Sequence, residues 1–414
     1  MTAPRPIRRA AALPAAVLLV LALALALVPA AARAQDGGGP PSIQAPSAIL
    51  VEASTGDVVF SRDPDERRAI ASTTKLMTAL LSLEGIALDD VLTAPAYNAG
   101  PLESQIGLRE GERMTVRDLL RALLLESAND AAVALAVGLS GSTEAFVEEM
   151  NRRARDLGLR DTEYANPIGL DDPDNRSSAR DLVKLAQVLR RKPFFRETVD
   201  LPRAVLRSGS RRRTIENRNT LVRNVPVVDG VKTGRTQQAG YVLVGSATRD
   251  GVTVMSAVLG EPTEAARDAD TLALLRYGLS RYERRTVLKE GQRLRTADLE
   301  YRDEDVRLVA GRTVERVLRR GERARTRVVS APEELDGPLP AGAEVGRIEV
   351  RVRNRVVERV PLVTATAVAE ASLTDRVTSV LFQPLSLLLV VLLVGCTVLL
   401  ALLRRRVVRR AGTR

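Results

Sequence analysis

The chain has 414 residues, of which 45% are apolar and 27% charged, with a formal charge of +11, one cysteine and no histidine. The missing histidine excludes Ser-His-Asp triads, Cys-His pairs and the commonest metal ligands, and a lone cysteine excludes an intramolecular disulfide. The charge belongs to the ends, +4 in residues 1–34 and +6 from Arg404 onward, so 35–403 carries only +1, and with 3% aromatics nucleic acid is not an expected partner.

Arg5, Arg8 and Arg9 precede an apolar run through Val28 and an Ala32-Arg33-Ala34 cleavage pattern. Residues 1–34 therefore read as a signal peptide, with an uncleaved anchor as the other reading. Residues 35–46, which include DGGGPPS, form a linker. SAILVEA and DVVFSRD read as two strands around a glycine-containing turn. Helical periodicity dominates from Ser72 to about Arg190, with Thr115 and Asp118 resembling a capping box ahead of an apolar run. Strand patterns return from Asn217 to Gly260, broken at Arg249-Asp250-Gly251 by a hairpin turn, and a helix is expected over Glu264–Leu279. One domain is thus placed at 47–284. Residues 285–366 are rich in Arg and Val in short alternating runs such as VGRIEVRVR and read as a small all-β domain. A linker at 367–380 leads to a transmembrane helix at 381–403, in which Pro384–Leu403 holds 20 uncharged residues. As a helix these span about 30 Å, enough to cross the hydrocarbon core. The arginines of the 404–414 tail place it in the cytoplasm and the body outside. The expectation is an exported, single-pass protein of the cell membrane. Cys396 falls in the span and reads as a small apolar filler.

Five of the 62 basic residues are lysines, leaving 57 arginines, so the chain uses arginine wherever a positive charge suffices. A retained lysine is then informative, because a desolvated lysine can lose its proton and act as a base where arginine cannot. Ser72-Thr73-Thr74-Lys75 opens an apolar helix. The i, i+3 spacing puts both side chains on one face, with Cβ atoms about 5–6 Å apart. A simpler reading is an N-cap serine and a surface lysine. Ser127-Ala128-Asn129 sets a hydroxyl and an amide at a junction of two helical patterns, where capping of the following helix is an equally good reading. Lys232-Thr233-Gly234 offers a cation and a hydroxyl for a carboxylate, beside a glycine that admits close approach; an exposed turn is the simpler alternative.

In this order the three motifs resemble the signature of penicillin-recognising serine enzymes. The chain is similar to the low-molecular-mass penicillin-binding proteins, the D-alanyl-D-alanine carboxypeptidase family. The resemblance runs over roughly 47–365 and includes LREGERMTVRDLLRALLLESANDAA, YANPIGL, SSARDLVKLA, VVDGVKTGRTQQAGY and RDADTLALLRYGL. It implies an α+β fold in which a helical cluster packs on an antiparallel sheet, a transpeptidase fold of the penicillin-binding/β-lactamase type, followed by the β domain and the membrane helix. It also implies Ser72 as nucleophile, Lys75 as its base, and Ser127 and Lys232 as proton shuttles. Asn129 would orient the substrate and Thr233 would bind its terminal carboxylate. Gly234, Arg235 and Thr236 complete the substrate-binding set, with the backbone N–H groups of Ser72 and Arg235 as oxyanion hole. No cofactor or metal is implied. The implied partners are a peptidoglycan stem peptide ending in D-Ala-D-Ala and β-lactams as inhibitors. The implied activity is removal of the terminal D-alanine.

The middle motif reads S-A-N rather than S-D-N, which suits this family. Two departures stand out: a histidine often found in the family before the S-[ST]-A-x-D element is absent, the chain reading Asp174-Asn175-Arg176-Ser177, and the C-terminal segment reads as a span where the family's usual anchor is an amphipathic helix lying on the membrane. An endopeptidase acting on cross-links would use the same motifs. A β-lactamase would need a second base, for which Glu163 with Asn166 is the one tempting pair. A silent wall-binding protein would not need Ser72, Lys75 and Lys232.

Overall fold

The computed structural model describes residues 39–101, 103–381 and 384–411; the expected signal peptide lies outside them. A five-stranded antiparallel sheet is built from β1 (Ser47–Glu52), β2 (Val58–Arg62), β3 (Val228–Thr236), β4 (Gly240–Arg249) and β5 (Val252–Glu261), in the order β2-β1-β5-β4-β3. The β4–β5 turn falls at Asp250 and Gly251, whose φ values of 51° and 75° match the left-handed pair that a two-residue hairpin needs.

The central strands are nearly continuous apolar runs because both faces are covered. Val242, Val244, Met255 and Ala257 point to the helical cluster, while Leu243, Val254 and Val258 point to the opposite side. That opposite side is covered by the helix Glu264–Arg281, which ends two residues beyond the expected Leu279 and packs Leu274, Leu275 and Leu279 on the sheet.

The helical cluster contains α1 (Lys75–Gly85), α2 (Val116–Arg121), α3 (Asn129–Ser140), α4 (Thr143–Asp156) and α5 (Ala179–Arg190). Thr115 caps α2 by accepting from the Asp118 N–H, which is half of the expected box, while its own N–H donates to Ser208; Ser178 caps α5 by accepting from the Asp181 N–H. The NDAAVALAVGLS sequence makes α3 the central helix, since its small side chains allow neighbours to close in on every side. Its burial follows from composition rather than from a stripe.

The segment entering β1 is held by a buried acid pair. Asp270 accepts from the Gln44 and Ala45 N–H groups at 2.5 and 2.9 Å, and fully buried Glu261 lies against it with no other partner. Burial first, then Asp270, pushes Glu261 up to about 8. The folded state therefore keeps a proton that the unfolded chain releases near its ordinary value of 4.5. This contribution to stability is complete below 4.5 and lost as pH rises through about 8. Glu261→Gln is expected to flatten the fall in melting temperature over that interval; an unchanged fall assigns the pH dependence elsewhere.

The C-terminal lobe is all β. Tyr282–Leu288, a strand that straddles the expected boundary at 284, pairs with Val314–Arg319, and six further strands form one sheet over a core that includes Leu308, Val314, Ile348, Val350, Val360 and Leu362. The strand sequences alternate: Ile348 and Val350 point inward while Arg347 and Arg351 point outward. The lobe meets the first domain at a tight polar junction. Arg353 donates to both Asp57 oxygens at 2.8 and 2.6 Å and to Glu322 at 2.6 Å, while the Tyr282 hydroxyl donates to Asp57 at 3.0 Å. Arg353 beside Asp57 holds that carboxyl below the usual carboxylate range.

A short helix, Leu373–Leu381, occupies the second linker, and Pro384–Ala411 is one long helix. Its Leu387–Arg406 stretch has a mean hydropathy of 2.8, with none of that window buried. It is the single helix among the described residues that is by itself long and apolar enough to cross a membrane.

Candidate active site

Ser72 sits on the 3₁₀ turn Ala71–Thr74 that runs straight into α1. The residue before it, Ala71, has φ +47°, a left-handed conformation that a side chain rarely adopts and that surrounding contacts must hold. One such contact is Gly169, considered below. The other is β3. An added Cβ on Gly234 would stand 3.0 Å from the Ser72 nitrogen and 3.0 Å from Ala71 Cβ. A side chain there would crowd the Ser72 turn, because the strand passes close beside the Ser72 nitrogen, and it would also meet Val242 at 2.7 Å.

Lys75 has no exposed surface, and its Nζ is 3.0 Å from Ser72 Oγ. The amine also donates to the Ile168 carbonyl at 2.5 Å. That carbonyl is presented by a loop folded around Asn166, whose Oδ1 accepts from the N–H groups of Ile168, Gly169 and Leu170 at 3.3, 2.7 and 3.1 Å. Thr78 on α1 fixes the same loop by donating to the Pro167 carbonyl at 2.7 Å. Burial, and after it the charge of Lys232, lowers the Lys75 pKa well below the ordinary lysine value, against an opposing pull from Glu103 and Asp130.

Ser127 ends a π-helical turn, Ala122–Glu126, with φ +63° and 6% of its surface exposed. Single π turns often mark functional positions because they re-aim the residues that follow. The capping reading fails: Ala128 occupies the N-cap of α3, and no side chain caps that helix. Asn129 donates its Nδ2 to Glu103 at 2.6 Å. Lys232 is 1% exposed on β3, and its Nζ donates to the Thr233 carbonyl at 2.9 Å. Burial first, then the charges of Arg218 and Arg267, lowers it to about 7, opposed by Glu126.

Thr233 is buried beside Lys232, Arg235 is exposed over the Tyr241 ring, and the Thr236 hydroxyl closes the β3–β4 turn by accepting from Ala239. The geometry thus joins Ser72 to Lys75 directly and sets Gly234 against Ser72, while the charge of Lys232 bears on Lys75. Glu163 and Asn166 supply no second base. Glu163 is half exposed and paired with Arg67, and the Asn166 oxygen is used by three backbone amides.

Sequence reasoning missed four groups. The Ile168 carbonyl carries no side-chain signal. Glu103 and Tyr97 sit in a loop without a motif. Arg267 had a readable signal, since it shares a helix face with Thr271 and Leu274, and a 3% exposed arginine on an apolar face asks for a reason.

A serine paired with a buried lysine, between a helical cluster and an antiparallel sheet, defines a serine peptidase of the penicillin-recognising type. Residues 34–263 match the D-alanyl-D-alanine carboxypeptidase family of peptidases, and residues 282–370 match the C-terminal domain of penicillin-binding protein 5. The chain is 31% identical to the D-alanyl-D-alanine carboxypeptidase DacF of Bacillus subtilis, over 83% of this chain and 92% of that protein. It also resembles the crystal structure of penicillin binding protein 5 from Haemophilus influenzae, at 30% identity and a TM-score of 0.59, over 80% of this chain and 99% of that one. The Streptomyces K15 DD-transpeptidase structure matches at 35% identity and a TM-score of 0.55, over 58% of this chain and 99% of that one. The chain belongs to the D-alanyl-D-alanine carboxypeptidase family.

Proposed function

We propose that the protein removes the terminal D-alanine from peptidoglycan stem peptides through an acyl-enzyme on Ser72. The observation that carries this reading is the fully buried Lys75 amine 3.0 Å from Ser72 Oγ. A neutral Lys75 takes the hydroxyl proton as Ser72 attacks the carbonyl of the penultimate D-alanine. The oxyanion is received by the N–H groups of Ser72 and Arg235. Ser127 and Lys232 return a proton to the leaving amine, and the C–N bond breaks to release D-alanine. Water then attacks the ester, its proton passing to the same base, and frees Ser72 and the shortened peptide. Asn129 orients the peptide, and Thr233 takes its terminal carboxylate with the positive charge of Lys232, Arg218 and Arg267 behind it. Gly234 and Thr236 shape the strand edge along which the peptide lies.

The same reading places the protein outside the cell. The 1–34 segment acts as export signal, 47–284 is the catalytic domain, and 381–403 is a single membrane span ahead of a cytoplasmic tail. β-Lactams, as mimics of the peptide end, acylate the same serine.

The test uses the full-length chain in detergent. Fluorescent penicillin is expected to leave a long-lived adduct that peptide mapping places on Ser72. Mass spectrometry of wall fragments should show loss of one terminal D-alanine. An adduct on another residue removes Ser72 from the reaction, and rapid penicillin turnover makes the protein a lactamase.

A further inference from the structure

Asn129 and Asp130 clasp a loop that sequence reasoning left without a role. The Asn129 N–H donates to the Ser104 carbonyl at 2.7 Å, and the Asp130 carboxylate accepts from the Ile106 and Leu108 N–H groups at 3.1 and 2.9 Å. Within this loop, Glu103 gathers three donors. Its Oε2 accepts from Asn129 Nδ2 at 2.6 Å and from the Tyr97 hydroxyl, and its Oε1 accepts from the Gly100 N–H at 2.9 Å. Burial alone raises a carboxyl, but here the bonds from Tyr97, Asn129 and Gly100 outweigh it and hold Glu103 below the usual range, so it is an anion.

We infer that Glu103 is a positioning residue for the reaction: it fixes the Asn129 carboxamide so that one N–H is tied back and the other is left for the substrate. An ionised carboxylate can only accept, so the nitrogen end of the amide must face it. The flipped amide would set two acceptor oxygens against each other at 2.6 Å. An asparagine amide has two N–H donors, and with one used by Glu103 the second remains for a peptide carbonyl.

The charge of Glu103 has a second effect. Lys75 faces Lys232 on β3, Glu103 on the loop and Asp130 on α3, besides Ser72 and the Ile168 carbonyl that it touches. Glu103 favours the protonated amine and so opposes burial and Lys232. This inference rests on the roles proposed for Ser72, Lys75 and Asn129.

The experiment measures the acylation rate of the full-length chain by fluorescent penicillin against pH, for the unsubstituted protein, E103Q and E103A. E103Q keeps an oxygen acceptor and loses the charge. It should stay within about 10-fold of the parent rate at the plateau, with its acid limb moved to lower pH, because Lys75 sheds its proton more easily without the anion. E103A also loses the orienting acceptor and should acylate about 10²-fold more slowly. Equal rates and limbs in all three overturn the inference. So does an equal loss in both variants with an unmoved limb, which reduces Glu103 to a loop brace. If E103A does not fold, E103D decides, because it keeps the charge but shortens the reach to Asn129: a slower plateau with an unmoved limb supports the inference, and the parent rate overturns it. Absence of an adduct on Ser72 in the unsubstituted chain is a different failure and overturns the function on which the inference rests.

Discussion

Lys75→Arg is expected to slow acylation by penicillin about 10³-fold, close to the loss produced by Ser72→Ala, even though it conserves charge. In the proposed reaction position 75 supplies basicity. A guanidinium holds its proton in any protein environment, whereas the Lys75 amine is driven toward neutrality by burial and then by Lys232. The larger planar head also cannot enter the space between Ser72 Oγ and the Ile168 carbonyl, which the amine fills at 3.0 and 2.5 Å. The sign of the pH dependence follows. In that reaction only the neutral amine accepts the serine proton, so acylation is expected to rise with pH through the Lys75 pKa, well below the ordinary lysine value of 10.5. Acylation measured from pH about 5 to 10 checks both points. Near-normal rates in the arginine variant would take the amine out of the mechanism.

Gly169→Ala should cost both stability and activity without touching a reactive side chain. Gly169 has φ +86°, and a Cβ there would lie 2.1 Å from the Ala71 carbonyl oxygen and 3.0 Å from the Ser72 nitrogen. The obstacle is backbone, which cannot rotate away. Left-handed strain and overpacking together suggest a loss of about 2–4 kcal/mol. At this size that lowers the melting temperature by roughly 5–15 °C. Relief requires the nucleophile turn to retreat, and a shift of about 1 Å at Ser72 costs on the order of 10²-fold in rate. Thermal melts and acylation rates below the transition are the checks. A variant that acylates normally would show that the turn tolerates displacement.

What the sequence made legible were features with a side-chain pattern. The Asp250-Gly251 hairpin, the Thr115 cap, the apolar helix after Ser72 and the alternating arginines of the β lobe each have a local cause, and each is present. The S-x-x-K and K-T-G motifs stood out because lysine is scarce in this arginine-rich chain, and S-A-N gained meaning only from its place between them. The competing capping reading of Ser127 and Asn129 was locally sound but lost to a π turn of buried residues, Ala122–Leu125, that ends at Ser127. The support of the site was less readable. The Ile168 carbonyl is a backbone group, Ala71 shows no outward sign of its left-handed φ, and Glu103 acquires meaning only when a loop is laid over α3.

The junction at Asp57 bears on how the molecule moves. Arg353 at the tip of one lobe's hairpin, Tyr282 at that lobe's first strand, and Asp57 between β1 and β2 of the other converge on a single carboxylate. Swivelling the lobes would break the Arg353 bonds to Asp57 and leave a partly covered anion without its guanidinium, so this junction resists such a rotation. If the 381–403 helix is anchored as proposed, lengthening the segment beyond Thr364 would change where the cleft works without altering what it does.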